Sequence, residues 1–244
     1  MTEFVVLTPA YNCAKKIDLT IRSVAMQTHT NWEMIILDDM STDDTVGAIQ
    51  EACRKYDVPL GKKIKVISRH EKYGEVRNTV EVCEHVAPHK VVVRLDAGDW
   101  ITDIGCFQIL DIIYKQHDPA VMWTNQRWAW TTQSICGPID NRVSVYKQPW
   151  KSSHLKTFRA SSIHGINKNN FLDDEGNWIM IACDQAVFLP MMERARIANK
   201  PLIYLPMVMY HYDIDLNDPE LFKRDRSIEQ KMSAERIRER GYIK

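Results

Sequence analysis

Two pairs of carboxylates stand at the ends of apolar runs. Val91-Val92-Val93-Arg94-Leu95 leads into Asp96-Ala97-Gly98-Asp99, and Trp32 to Leu37 leads into Asp38-Asp39. A buried strand that stops at acids delivers them to its carboxyl-terminal edge, where open α/β sheets place their ligands. Hard carboxylate oxygens there suit Mg²⁺ or Mn²⁺, and such an ion suits a diphosphate. A plain turn is the competing reading for either pair. Two occurrences of the same pattern favour a site.

Other residues join these acids. Pro9 and Tyr11 follow the first apolar run, where backbone groups and a ring can hold a base, and Asp39 can accept from a uracil N–H or a ribose hydroxyl. Arg77 falls early in a helical segment, so its guanidinium can pair with the acids or contact a nucleotide. Asp184 opens a later helix, where an acid also serves as a cap. His211 sits between two tyrosines after a late strand, a position that is as readily structural as metal-ligating. In Ser153-His154-Leu155-Lys156-Thr157-Phe158-Arg159, His154, Lys156 and Arg159 could reach a leaving diphosphate; as a bare pattern this is a basic turn of helix.

The elements that must position these groups alternate through the first half. Strands are expected at 4–7, 32–37, 64–68 and 90–95, with helices at 17–27, from Ser41–Asp44 to about 56, at 75–85 and at 103–116. Such βαβα units give a mostly parallel sheet with helices on both faces. Beyond residue 118 the rhythm changes. A strand is expected at 121–123, a hairpin or long loop at 126–149, a helix at 184–195, a strand at 202–204 and a charged helix at 219–240. Five of the seven tryptophans (123, 128, 130, 150 and 178) fall in this half, which fits either core packing or a cleft that stacks on sugar faces.

Composition narrows the classes. Lys plus Arg equals Asp plus Glu at 32 each, so no global field draws the chain of 244 residues to nucleic acid or an anionic membrane. No apolar run reaches the length of a spanning helix, and the amino-terminal residues lack the pattern of a secretory signal. Six dispersed cysteines without a Cys-x-x-Cys pair argue against a zinc module or a disulfide framework, and read as reduced residues of a cytoplasmic protein.

Four segments in order, Thr8-Pro9-Ala10-Tyr11-Asn12, Trp32 to Thr45, Gly74-Glu75-Val76-Arg77-Asn78 and Leu95-Asp96-Ala97-Gly98-Asp99, resemble those of glycosyltransferase family 2. The resemblance covers roughly residues 4–100. It implies an α/β GT-A fold with a mostly parallel central sheet flanked by helices. A single domain of 1–244 would divide into a Rossmann-like nucleotide-sugar-binding half (1–117), an acceptor half (118–218) and a carboxyl-terminal helix (219–244). It further implies inverting, metal-assisted transfer of a sugar from a nucleoside-diphosphate donor, UDP-linked, to a hydroxyl of a glycan, lipid-linked sugar, protein or modified base.

By the same resemblance Pro9, Tyr11, Asp39, Arg77, Asp96, Ala97, His154 and Arg159 contact the nucleotide sugar. Asp96, Asp99 and His211 hold Mn²⁺ or Mg²⁺, and Asp184 is the general base. Two positions depart from the pattern, Gly98 where many members carry an acid and Cys183 where an acid usually precedes the base. These departures make a non-catalytic nucleotide-sugar binder the alternative. A dinucleotide oxidoreductase is disfavoured because the segment after the first strand has no glycine.

Overall fold

The computed structural model describes residues 1–128, 131, 134–214 and 224–244. The expected alternation is present as β1 (Phe4–Ala10), α1 (Ile17–Ala25), β2 (Trp32–Asp38), α2 (Thr45–Lys55), β3 (Ile64–Ser68), α3 (Gly74–Cys83) and β4 (Val91–Arg94). Then follow β5 (Trp100–Ile101), α4 (Cys106–His117), β6 (Val121–Trp128), β7 (Lys156–Arg159), α5 (Cys183–Ile197), β8 (Leu202–Tyr212) and α6 (Arg224–Arg240). All eight strands join one sheet in the order β3-β2-β1-β4-β7-β6-β8-β5. The first four are parallel, as expected. Beyond them the sheet is mixed, because β7 runs antiparallel to both β4 and β6 while β6 and β8 are parallel.

The central strands are mostly apolar because both faces are covered. On one face Val5, Leu7, Val92, Trp123 and Phe158 meet Val76 and Val80 of α3 and Phe188 and Met191 of α5. On the other, Phe4, Val6, Val91, Val93 and Met122 meet Ile21 of α1, Ile49 of α2 and Phe107 of α4. Each such side chain contributes about 1.5–3 kcal/mol by leaving water, offset by the entropy of ordering the chain. The expected caps are present, since Asp44 accepts from Gly47 N at 3.2 Å at the start of α2.

Several boundaries differ from expectation. β1 continues through Thr8-Pro9-Ala10, which was expected to break it. Leu7 and Pro9 turn their backbone groups toward β4, and their carbonyls accept from Leu95 N (3.1 Å) and Ala97 N (3.2 Å). Pro9 thus lies where β4 has ended, and accepts without having to donate. The expected basic turn of helix near 156 is strand β7 instead. β8 extends to Tyr212 despite Pro206, accommodated by register irregularities opposite Asn125, so the Tyr210-His211-Tyr212 segment lies inside the strand. β6 runs on to Trp128, past residue 126 where the hairpin or long loop was expected to start. Trp130 and the 219–223 end of the charged helix, with Leu221 and Phe222, lie outside the described residues. No helix among those described is long and apolar enough to cross a membrane.

Candidate active site

A cleft of about 700 Å³ opens where the sheet's carboxyl-terminal edge meets the start of α5, and Glu75, Asp96, His154, Cys183, Asp184, Tyr212 and Glu229 line it together with Met180 and Ile181. Asp96 and Asp184, distant in sequence, therefore line one cleft. β4 delivers Asp96 just past its last paired residue, and the first turn of α5 delivers Asp184.

Two buried cations lie beneath these acids. Arg94, 1% exposed, reaches Glu75 Oε1 at 2.7 Å and Asp96 Oδ1 at 2.8 Å. Burial opposes its charge, but Asp96 and Glu75 more than compensate and keep it firmly protonated. Its cross-strand neighbour in β7 is Lys156, completely buried, whose Nζ donates to Asp184 Oδ1. Burial alone would raise the Asp184 carboxyl; Lys156 foremost, then His154 and Arg94, hold it well below the usual carboxylate range. His154 Nε2 stands 3.8 Å from Asp184 Oδ2, and its ring stacks on Tyr210 with centroids 4.6 Å apart. Burial and Lys156 push the imidazole down to about 3, so it is neutral. Glu75 shifts the other way, raised chiefly by burial.

The donor-side residues are arranged less uniformly. Tyr11 exposes its ring at the end of β1, with Lys72 Nζ 3.4 Å above it, and Pro9 is joined to Ala97 by the backbone bond noted above. Asp39 is turned inward. Its oxygens accept from Tyr73 N (2.8 Å), Gly74 N (3.0 Å) and Asn78 Nδ2 (2.9 Å), which anchors the start of α3. Asp38 accepts from Ser41 N at 3.2 Å. Arg77 does not meet the acids of the sheet edge; it bonds Glu81 at 2.8 Å and Glu71 at 3.3 Å and stacks on Tyr73.

Arg159, expected at the leaving diphosphate, is at the opposite edge of the sheet. In the antiparallel register Lys156 faces Arg94 but Arg159 faces Val91, the first residue of β4. Three strand residues separate them, about 10 Å. Arg159 bonds Asp118 at 2.7 Å and the His89 carbonyl at 2.6 Å beside a separate cavity of about 480 Å³.

The expected three-residue metal site is not assembled. Asp99 is buried and both oxygens are engaged, Oδ2 by the Tyr210 hydroxyl and Oδ1 by Asp213 N at 2.8 Å. Burial and the neighbouring Asp96 push its carboxyl up to about 8, so it is protonated near neutrality. His211 follows Tyr210 in β8 and so points to the other face, where it stacks on Trp100 at 3.9 Å. Among the described residues no three His, Cys, Asp or Glu side chains stand where they could share an ion. Of the three expected ligands only Asp96 lines the cleft, and Mg²⁺ or Mn²⁺ held by one protein carboxylate takes its other ligands from water and substrate phosphates. The donor set fits an ion that arrives with a diphosphate.

Gly98 has a physical reason. Its φ is +103°, a backbone conformation that side-chain-bearing residues adopt only under strain, and its N–H donates to Thr20 Oγ1 at 2.9 Å. An acid at this position would strain this turn. The tryptophans serve packing more than the cleft. Trp123 is fully buried with Nε1 donating to Gly137 O at 3.0 Å, Trp150 and Trp178 pack against the core, and Trp128 is exposed. The six cysteines are unpaired.

Sequence reasoning missed Arg94, Glu75 and Tyr210 as members of this site. Arg94 carried a usable signal, since a cation inside Val-Val-Val-Arg-Leu must find an anion when the strand is buried. Tyr210 carried none, because the expected strand stopped short of it.

Comparison with known proteins accords with this arrangement. The chondroitin synthase of Escherichia coli is 32% identical over 121 residues, 49% of this chain and 16% of that protein. TuaG of Bacillus subtilis (strain 168), a glycosyltransferase named for teichuronic acid biosynthesis, is 36% identical over 99 residues, 40% of this chain and 37% of that protein. The chain thus spans well under half the length of these relatives. S. aureus TarS 1–349 in complex with UDP-GlcNAc superposes with a TM-score of 0.66 at 16% identity, over 95% of this chain and 65% of that one. The mannosyltransferase PcManGT of Pyrobaculum calidifontis, in complex with GDP-Man and Mn²⁺, superposes at 0.64 with 14% identity, over 95% and 62%. At such identities these likenesses establish the shared GT-A fold. The family model for glycosyl transferase family 2 matches residues 5–134, more than half of the 244, and the chain belongs to that family.

Proposed function

We propose that this protein is an inverting glycosyltransferase that moves a sugar from a nucleoside-diphosphate donor, UDP-linked, to an acceptor hydroxyl. The observation that carries the proposal is the shared cleft, lined by both Asp96 at the end of β4 and Asp184 at the start of α5. In this reading the nucleotide base lies against Pro9 and the exposed ring of Tyr11. Asp39 acts on the nucleoside by fixing the start of α3. Asp184, ionised, accepts the proton of the acceptor hydroxyl as that oxygen attacks the anomeric carbon opposite the diphosphate. Arg94 keeps Asp96 oriented toward the donor. A divalent ion held at Asp96 would offset the charge developing on the departing diphosphate.

The choice of UDP is supported by TarS, whose structures contain UDP and UDP-GlcNAc, and qualified by the GDP-Man of the archaeal neighbour. The unpaired cysteines support a cytoplasmic setting within the same proposal. The test is a screen of UDP-, GDP- and dTDP-sugars with Mn²⁺, scored by free nucleotide. UDP-sugars are expected to release UDP, and Asp184→Asn to lose about 10² to 10⁴ in rate with UDP binding retained. Near-normal turnover by that variant refutes the base assignment. Binding of UDP with no release by the unmodified protein would instead fit a non-catalytic nucleotide-sugar binder.

A further inference from the structure

We propose that Lys156 is the positioning residue of Asp184, clamping one carboxylate oxygen so that the other is presented to the acceptor. This inference rests on the reading of Asp184 as the base. Lys156 shares its β7 position with register partners Arg94 on one side and Trp123 on the other, deep in the sheet. Its ammonium lies 4.6 Å from the Phe188 ring and 5.7 Å from the Trp150 ring, with Asp184 Oδ1 as its anion. A buried ammonium needs such an anion to stay charged. The side chain has no exposure to the cleft, so it does not reach a diphosphate there.

The clamp is one-sided. Asp184 Oδ2 is 3.8 Å from His154 Nε2, too far for a hydrogen bond, so this oxygen is left for a hydroxyl. The other groups that face Asp184 are His154 ahead of β7, Arg94 on β4, Glu75 on α3, Cys183 beside it on α5 and Cys136 from the preceding loop, with Glu229 of α6 across the same cleft. Of these, Glu75 opposes ionisation of Asp184 when it is itself charged, whereas the thiols of Cys183 and Cys136 are both pushed up and stay neutral beside it. Lys156 is the largest influence in the opposite direction.

The experiment is a ¹³C carboxyl titration of Asp184, its signal identified by its absence in Asp184→Asn, in the unmodified protein, Lys156→Met and Lys156→Arg. The unmodified carboxyl is expected to remain ionised at about pH 4, where an unperturbed aspartate is half protonated. In Lys156→Met its midpoint should rise by about one to three pH units, and Lys156→Arg should restore most of the low value. The acid limb of nucleotide release from UDP-GlcNAc should move with it. An ordinary midpoint in the unmodified protein, or the same midpoint in Lys156→Met, overturns the clamp. If Lys156→Met does not fold, the unmodified titration and Lys156→Arg still decide. Release that survives in Asp184→Asn removes the base reading instead, a separate outcome from the titration.

Discussion

Replacing Arg94 with methionine removes a cation that touches both Glu75 and Asp96 from a position 1% exposed. Methionine fills much of the same stem, so packing changes little and the effect reports the charge. Breaking a buried ion pair by deleting one partner costs about 3–5 kcal/mol. Here the stranded carboxylates are 29% and 31% exposed and partly rehydrate, which places the cost at the lower end, about 3 kcal/mol. For a domain of this size that is a fall in Tm of roughly 6–12 °C.

The assay is thermal and urea unfolding at neutral pH, repeated with Glu75→Gln alone and with the pair. Because Arg94 and Glu75 interact directly, the double variant should be more stable than additivity allows by about 1 kcal/mol or more. UDP affinity should weaken in Arg94→Met because Asp96 loses its fixed orientation. A Tm within about 2 °C of the unmodified protein, with additive double-variant energetics, would refute the view that this ion cluster organises the cleft.

Three further outcomes are expected. Gly98→Asp, which restores the acid common in the family, should lower stability by about 1–3 kcal/mol through strain at φ +103°, measured by urea midpoint, and a gain in stability would contradict the turn geometry. Arg159→Ala should leave UDP affinity unchanged by calorimetry, since its partners are Asp118 and the His89 carbonyl at the far edge; a tenfold loss would place it in the donor site after all. Asp99 is raised to about 8, so between its unfolded value near 3.8 and 8 the folded chain holds a proton that the unfolded chain has lost. This contribution to stability therefore falls as pH rises through that window and levels off above it. Asp99→Asn should flatten the dependence between pH 5 and 8, and an unchanged slope would show that Asp99 is ionised throughout.

The parts that could be read from the chain are those with local causes. Both-face burial made Val91-Val92-Val93 a strand, the hydroxyl and carboxylate run at 41–44 announced the start of α2, and an acid at the end of β4 pointed to the ligand edge. What failed depended on partners remote in sequence. Whether Arg159 faces the cleft is set by the antiparallel register of β7 against β4, and no residue near 159 encodes that choice. Asp39 looks like a free acceptor until α3 is docked, when Tyr73, Gly74 and Asn78 fill its lone pairs. His211 was expected beyond the end of a short strand; once β8 runs to Tyr212, pleating alone sends its ring away from Asp99. Pro206 hid that length, because a proline ordinarily marks the end of a strand.

One feature of the sheet governs how the molecule can move. The stretch up to residue 117 and the stretch after it are sewn together at β4 and β7, where four consecutive backbone pairs run from Val91 with Arg159 to Arg94 with Lys156. A seam of main-chain bonds through the centre of a sheet permits no hinge. Adjustment around a bound sugar is thereby left to what lies outside the seam, such as the 180–182 approach to α5 that lines the cleft. Cutting at 117 would separate β4 from β7 and leave each with a bare edge where these four pairs now stand.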